Sequence, residues 1–144
     1  MRYAFVAEFA GVNTRARTLG YWARDHIHPN VEWELAGTPC GDVVRGSLRH
    51  HPTGVKEKFP QDEPLVALGI DSYLGVPLLD GGGNVLGHLA AFDDRPMPGE
   101  PRRLFTFRIF ATRAAAELER LRTEALLRES EQRYRDLYEE APIA

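Results

Sequence analysis

Apolar and polar positions alternate over the first residues of the chain and stop at a turn-forming cluster. Residues 3–8 follow the two-residue period of a strand, and the Gly-Val-Asn cluster at 11–13 ends the pattern. Residues 15–23 resume with aromatic and threonine side chains, so the two segments are predicted to form an antiparallel hairpin.

A second hairpin is predicted from the β-rich runs 72–79 and 85–92. The Asp-Gly-Gly-Gly-Asn segment at 80–84 between them supplies residues that tolerate the positive φ angles of a tight reversal. Pro77 lies inside the first run and has no N–H to donate. It is therefore expected at an edge-like or bulged position of its strand.

Two short helices are predicted between the hairpins. The first covers about residues 39–45, with Thr38 as its N-cap and Gly46 as its terminator. The second is capped by Asp62 and closed by Gly69.

A long helix is predicted from Arg102 to the end of the chain. No glycine follows Gly99, and apolar residues recur at alternating steps of four and three, which is a seven-residue repeat typical of a coiled-coil seam. Its members are Phe107, Ala111, Ala114, Leu118, Leu121 and Ala125. The first turns of this helix could instead pack on the sheet, and the later, highly charged turns would then provide a narrow stripe for a partner helix.

Composition narrows the class of protein. The 144 residues are 43% hydrophobic and carry a formal charge of −3, without the basic surface of a nucleic-acid binder. The single cysteine excludes a disulfide framework or a multi-cysteine zinc site within the chain. No signal peptide or membrane-spanning run is present in the sequence, so we expect a cytoplasmic setting and no membrane contact by this chain.

Three motifs in a fixed order suggest a family. They are Leu-Ala-Gly-Thr-Pro-Cys at 35–40, Ser-Tyr-Leu-Gly-Val-Pro-Leu at 72–78 and Val-Leu-Gly-His-Leu at 85–89. With the strand pairs and the terminal helix, they make residues 2–115 resemble a bacterial GAF domain. The segment 127–144 resembles the start of a PAS domain.

The resemblance implies an α+β fold with an antiparallel sheet of five to six strands. It also implies helices on one face of the sheet, a small-molecule pocket on the other, and a long C-terminal signalling helix. We accordingly divide the chain into a GAF-like sensor domain at 1–115, a coiled-coil-like helix at 116–138 and a truncated PAS start at 139–144. GAF domains usually begin with a helix that pairs with the terminal one, whereas Met1 lies just before the first strand here, so a partner subunit is a candidate replacement.

The specialised chemistries of the family find few matching residues. Free methionine sulfoxide reductases of this fold need several cysteines, and the Asn-Lys and Phe-x-x-x-Asp-Glu pattern of cyclic-nucleotide binders is incomplete at 58–63. We therefore predict that the chain is not an enzyme and predict no cofactor. Cys40 lies in the first turn of a predicted helix, where the helix dipole would lower its pKa; it is interpreted as a buried structural thiol or a redox sensor.

Candidate pocket residues combine an apolar body with a polar atom. They are Trp22, Trp33, Cys40, Tyr73 and His88. Strand alternation puts Tyr73 and Leu74 on opposite faces of the sheet and leaves open which face borders the pocket. The histidines at 26, 28, 50 and 51 are expected in loops or at loop edges that face solvent, and no metal site is predicted.

Two functions remain as hypotheses. In the first, an unknown small molecule binds the domain, and the C-terminal helix, through Ala114, Leu118, Leu121 and Ala125, transmits the signal in a homodimer to downstream PAS or output domains. The resemblance places such a domain in a two-component or transcription-regulating protein, either a histidine kinase or a sigma-54 activator of the formate hydrogenlyase activator type. In the second, the domain is a dimerisation or spacer module without a ligand.

Overall fold

The computed structural model describes residues 1–10, 12 and 14–140, which form one antiparallel sheet with helices on both faces. The strands are β1 Tyr3–Ala10, β2 Arg15–Ala23, β3 His26–His28, β4 Glu32–Glu34, β5 Arg49–His51, β6 Ser72–Leu79 and β7 Val85–Asp93. The helices are α1 Pro39–Val43, α2 Val55–Lys58, α3 Glu63–Ala67 and α4 Pro101–Glu140.

The two predicted hairpins are confirmed and form the centre of the sheet. The strand order is β3-β2-β1-β7-β6-β5, with β4 paired to β2 beside β3. The first hairpin, β1 and β2, joins the second, β6 and β7, through the antiparallel pairing of β1 with β7. The first and last long strands thus lie side by side, which fixes the sheet as a single unit.

Two short strands, β3 and β5, correct the expectation that the four histidines outside β7 lie in loops or at loop edges. His26 and His28 belong to β3, and His50 and His51 belong to β5. Each of these strands has three residues. Such a segment is too short to show a period of its own, and pairing with a longer neighbour decides its conformation.

A β-bulge in the first hairpin reverses the alternation of β2. Val6 pairs with Gly20 and Ala7 pairs with Thr18, which leaves Leu19 as the extra residue. Because one inserted residue shifts every later side chain to the opposite face, Tyr21 rather than Trp22 shares the face of Thr18.

Pro77 lies where its missing donor does no harm, as predicted. The neighbouring strand β5 pairs with residues 73–75 of β6 only, so Pro77 has no partner on that side. On its other side it pairs with His88 of β7, just before a register shift at Leu78 and Leu79. This edge-like position satisfies the constraint that proline places on a strand.

The predicted caps of the short helices are also confirmed. The Thr38 hydroxyl accepts a hydrogen bond from the Gly41 amide at 3.3 Å, and a carboxylate oxygen of Asp62 accepts one from the Leu65 amide at 3.2 Å. Gly46 and Gly69 follow α1 and α3 with φ angles of +92° and +67°, a conformation that ends a helix at little steric cost.

Two apolar cores lie on opposite faces of the sheet. One contains the side chains of Tyr3, Phe5, Phe9, Cys40, Val55, Leu65, Tyr73 and Phe92, with the short helices packed on it. The other contains Leu74, Val76, Leu78, Leu86, Phe107, Ala111, Ala115 and Leu118, and is closed by the first turns of α4. The sheet therefore separates a face bordered by α1, α2 and α3 from a face covered by α4.

Helix α4 packs on the sheet over its first half and then extends away from it. Phe107 and Leu118 are buried against β6 and β7, and each such side chain contributes about 1.5–3 kcal/mol of burial free energy. From residue 119 to residue 139 only Arg122 is half-buried, and its guanidinium lies 3.8 Å from a carboxylate oxygen of Glu8. The helix runs without interruption across the predicted boundary at 115–116 and through residue 140, and 141–144 lie outside the described residues.

Candidate functional site

A cavity of about 610 Å³ lies between the sheet and the short helices, and we call it the pocket. Side chains of β1, β2, β6 and β7 form its floor: Phe5, Tyr21, Tyr73 and Phe92. Two stretches of chain, within 31–40 and 61–68, form its walls. A volume of this size is typical of pockets that hold a metabolite-sized ligand.

The aromatic rings of the pocket pack around Phe5. The Phe5 ring centroid lies 5.2 Å from that of Trp33 and 5.7 Å from that of Phe92, both in edge-to-face geometry. Tyr21 meets the same ring at 6.4 Å. Such edge-to-face contacts hold the rings in defined orientations, so the floor and one wall are preorganised.

Cys40 and Tyr73 form a buried polar pair at the pocket. The Tyr73 hydroxyl donates a hydrogen bond to Cys40 Sγ at 3.3 Å. Burial raises the pKa of the Cys40 thiol to about 12 and raises the pKa of Tyr73 well above its ordinary value. The expectation of a lowered cysteine pKa is therefore wrong, because desolvation outweighs the dipole of a five-residue helix. A thiol that stays protonated is neither a nucleophile nor a ready target of oxidants.

Asp62 is a half-buried acidic residue in the 61–68 wall of the pocket. Its side chain is half-buried at the start of α3, and burial raises the pKa of its carboxyl group, while the hydrogen bond from the Leu65 amide acts in the other direction. The signal in the sequence, a capping aspartate before Glu63 and Pro64, identified the helix but not its place at the pocket.

His88 lies inside the protein next to the pocket but does not line it. Its ring stacks on Phe9 with centroids 5.2 Å apart and meets Phe5 and Trp33 edge-on at 5.1 and 6.1 Å. Neither ring nitrogen has a hydrogen-bond partner among the described residues. Burial lowers the pKa of His88 to about 3, so the ring is neutral at physiological pH.

The structure brings together three of the five predicted pocket residues. Trp33, Cys40 and Tyr73 line the pocket, and Tyr73 rather than Leu74 lies on the pocket face. Trp22 is 41% exposed and does not line the pocket, since the bulge turns Tyr21 toward it instead. Phe5, Tyr21 and Phe92 also line the pocket and were missed as pocket residues.

The residues predicted for the signalling helix divide into two pairs. Leu118 is buried against the sheet and Ala114 is half-buried beside the same core. Leu121 and Ala125 are exposed. Leu118 is thus a core residue of the domain rather than a free contact for a second helix, because the first half of α4 covers the sheet.

The described part of the chain has neither a metal site nor a membrane-spanning helix. Its histidine, cysteine and acidic side chains nowhere gather in threes at a spacing that would hold a metal ion. None of its helices combines the length and apolarity needed to cross a membrane.

The model of the GAF domain family matches residues 4–118, which include the sheet apart from its first residue Tyr3, the pocket and the packed half of α4. The chain belongs to the GAF domain family. The GAF resemblance and the α+β fold expected from the sequence are therefore confirmed, with seven strands rather than five to six and helices on both faces of the sheet. No curated protein matches the sequence.

Solved structures show the same fold for this GAF domain. The GAF domain of an Acinetobacter phosphoenolpyruvate-protein phosphotransferase aligns with a TM-score of 0.67 at 14% identity, over 87% of this chain and 75% of that one. A domain of a Sinorhizobium meliloti 1021 protein described as a putative two-component sensor histidine kinase aligns at 0.59 and 15%, over 88% and 84%. The phycocyanobilin-bound GAF domain of a cyanobacterial phytochrome aligns at 0.64 and 11%, over 86% and 78%.

Proposed function

We propose that this GAF domain is a regulatory sensor that binds a small molecule in the pocket and signals through α4. The observation that carries the proposal is the pocket of about 610 Å³ on one face of the sheet and the long helix on the other. The phytochrome GAF domain of the same fold holds its chromophore, which supports a binding role for this family.

Neighbouring residues of the same strands connect the pocket to α4. Tyr73 lines the pocket and Leu74 packs in the core under α4; Phe92 and Ala91 repeat this arrangement on β7. A ligand that moves the backbone of β6 or β7 therefore changes the surface on which α4 packs. If α4 can pack on the sheet in two positions that differ in ligand affinity, ligand binding shifts the population from one position to the other.

The exposed half of α4 is the proposed output. We infer that it leads to a PAS domain and then to the output domain of a signal-transduction protein, in the cytoplasm, of the histidine kinase or sigma-54 activator type. The structural likeness to the domain from Sinorhizobium meliloti is consistent with the first of these. A regulatory rather than catalytic role fits the protonated Cys40, because a thiol with a pKa of about 12 supplies no nucleophile.

A ligand-free dimerisation module is the second candidate. The observation that favours it is the apolar surface beside and beyond the packed half of α4. A groove next to the helix is lined by Val6, Leu89 and Phe110, and Phe110 is largely exposed. Farther along, Leu121, Leu126, Leu127, Leu137 and the two tyrosines at 134 and 138 are exposed as well.

A thermal-shift screen of metabolites tests ligand binding. We expect at least one compound to raise the melting temperature, because a ligand that binds only the folded state at 100 times its Kd stabilises by about 2.7 kcal/mol. Ala36→Trp places a large ring at an exposed pocket wall and should abolish the shift, whereas Val66→Trp on the outer side of α3 should retain it. A screen without any shift would contradict the sensor proposal.

Sedimentation of a Leu121→Glu variant tests the helix. Leu121 is 47% exposed just after the last residue buried on the sheet, so a charge there should leave the fold intact and dissociate the proposed homodimer. Thr123→Glu, on another face of α4, is the matched control and should keep the mass of the parent. An unchanged mass in both variants would argue against a dimer contact at Leu121.

A further inference from the structure

The pocket has acidic side chains and lacks basic ones. Its charged lining residues are Glu32, Glu34, Asp62 and Glu63, and within residues 1–10, 12 and 14–140 no arginine, lysine or histidine lines it. The Cys40 thiol and the phenols of Tyr21 and Tyr73 are neutral, since their pKa values are raised. The lining is therefore negative at neutral pH.

Two of the four carboxylates already have a counterion. Arg15 Nε lies 3.0 Å from a carboxylate oxygen of Glu32, and Arg15 Nη1 lies 3.4 Å from one of Glu34. These pairs form between β2 and β4 and are exposed to solvent. Arg15 is shared by both carboxylates and offsets one of their two negative charges, and solvent screens the remainder because the pairs are exposed.

The other two carboxylates, Asp62 and Glu63, form no ion pair with any described residue. Asp62 is half-buried at the wall, and one of its oxygens accepts the Leu65 amide. A carboxylate that loses water without gaining a cation is destabilised, and its raised pKa expresses that cost. A cationic group in the pocket would remove the cost.

The aromatic floor favours the same ligand chemistry. Five aromatic side chains line the pocket: Phe5, Tyr21, Trp33, Tyr73 and Phe92. The faces of aromatic rings carry negative charge density and attract ammonium groups, most strongly where water is excluded. A carboxylate at the wall and several rings at the floor together form a site for a positively charged organic group.

The helix starts beside the pocket offer little to an anionic ligand. The first turns of α1 and α3 border the pocket, but Pro39 and Pro64 have no N–H to offer. The amides of Gly41 and Leu65 are bonded to the caps Thr38 and Asp62. A phosphate or carboxylate would thus meet a carboxylate at the wall and neither a cation nor these amides.

We propose that the pocket selects a small organic cation, an amine or quaternary ammonium compound with an apolar or aromatic body. This inference rests on the proposed function, because it assigns the ligand class of the same pocket. Asp62 supplies the counter-charge, the rings of Phe5 and Trp33 contact the cationic group or its apolar substituents, and Glu63 adds to the negative potential at the wall.

Titration with three probes by protein-observed NMR tests the proposal on the whole chain at pH 7 and low salt. The probes are benzyltrimethylammonium, benzyl alcohol and benzoate, which share a ring and differ in charge. We expect the cation to bind at least about 10-fold more tightly than the alcohol, and benzoate not to bind. Shifts are expected at the pocket residues.

The Asp62→Asn variant removes the negative charge of residue 62 and keeps its role as the N-cap of α3. Asparagine caps a helix as well as aspartate does, so α3 should remain, while affinity for the cation should fall about 5-fold or more and affinity for benzyl alcohol should not change. Glu57→Gln removes one exposed charge from α2 outside the pocket and should leave all three affinities unaltered. Loss of cation binding in both variants to the same extent would overturn the role of Asp62.

The outcomes also separate this inference from the proposed function. If benzoate or another anion binds at the pocket more tightly than the cation, the pocket is a ligand site and the cation assignment is wrong. If no probe binds and the metabolite screen also gives no shift, both the assignment and the sensor proposal fail.

Discussion

Replacing Gly87 by alanine is expected to destabilise the domain by at least about 3 kcal/mol, which corresponds to a melting temperature about 10 °C lower for a chain of this size. A β-carbon at Gly87 would overlap the carbonyl oxygen of Ala7 and lie 3.0 Å from the carbonyl carbon of that residue. Both are backbone atoms of β1, which is held between β2 and β7 and cannot move away cheaply.

Gly20→Ala is the matched control for this prediction. Gly20 also lies in a long strand, but nothing is within 4 Å of the position of its β-carbon and its φ is ordinary. We expect it to change stability by less than about 1 kcal/mol, and in the stabilising direction, because glycine is less favourable than alanine in a strand. Thermal unfolding followed by circular dichroism measures both variants, and equal melting temperatures would contradict the close approach of β1 and β7.

The second large effect is a loss of stability in mild acid that depends on His88. The folded-state pKa of this ring is about 3, below the ordinary value of 6.5 that applies to the unfolded chain. Between these values the unfolded state binds a proton that the folded state does not. Protonation of His88 therefore does not reduce the free energy of unfolding well above pH 6.5, and it reduces it progressively as pH falls through that value. The slope approaches about 1.4 kcal/mol per pH unit for one group.

Urea unfolding at several pH values between 7 and 4.5 measures this dependence. His88→Leu should reduce the slope and raise stability at neutral pH by about 1–3 kcal/mol. The reason is that a buried ring, whose two nitrogens have no partner among the described residues, is replaced by an apolar side chain of similar size. His51→Gln is the control, since burial also lowers the pKa of His51, with Lys58 acting in the same direction. His51 is only half-buried, so its variant should keep most of the acid sensitivity. A parent protein with constant stability over this range would contradict the buried, neutral state of His88.

Local sequence patterns were sufficient to predict those structural elements whose signals lie within a few neighbouring residues. Both hairpins, the caps Thr38 and Asp62 and the edge position of Pro77 depend on turn chemistry, capping and the missing proline donor, and all act within a few residues. Strands β3, β4 and β5 were not predicted, since three residues show no period and pairing with β2 or β6 forms them.

Site prediction failed where a single inserted residue changed the face of a strand. The extra residue Leu19 turns Trp22 away from the pocket and brings Tyr21 to it. Gly20 inside the strand is a general signal of a bulge, but which residue is inserted depends on how β2 pairs with β1. The pKa of Cys40 was mispredicted for a related reason: the sequence shows a helix start, but only packing shows that the thiol is buried under Tyr73.

The sequence by itself determined the family, the order of the long elements, the two hairpins and the long helix, because each follows from local periodicity, turn residues and motif order. Only the tertiary structure decided which faces of the strands meet and that Leu118 packs on the sheet. It also decided that, within the described part of the chain, His88 is buried without a partner and Asp62 stands at an aromatic pocket without a counterion. Those properties arise from contacts between residues far apart in the chain, and burial, charge compensation and strand register exist only once the contacts have formed.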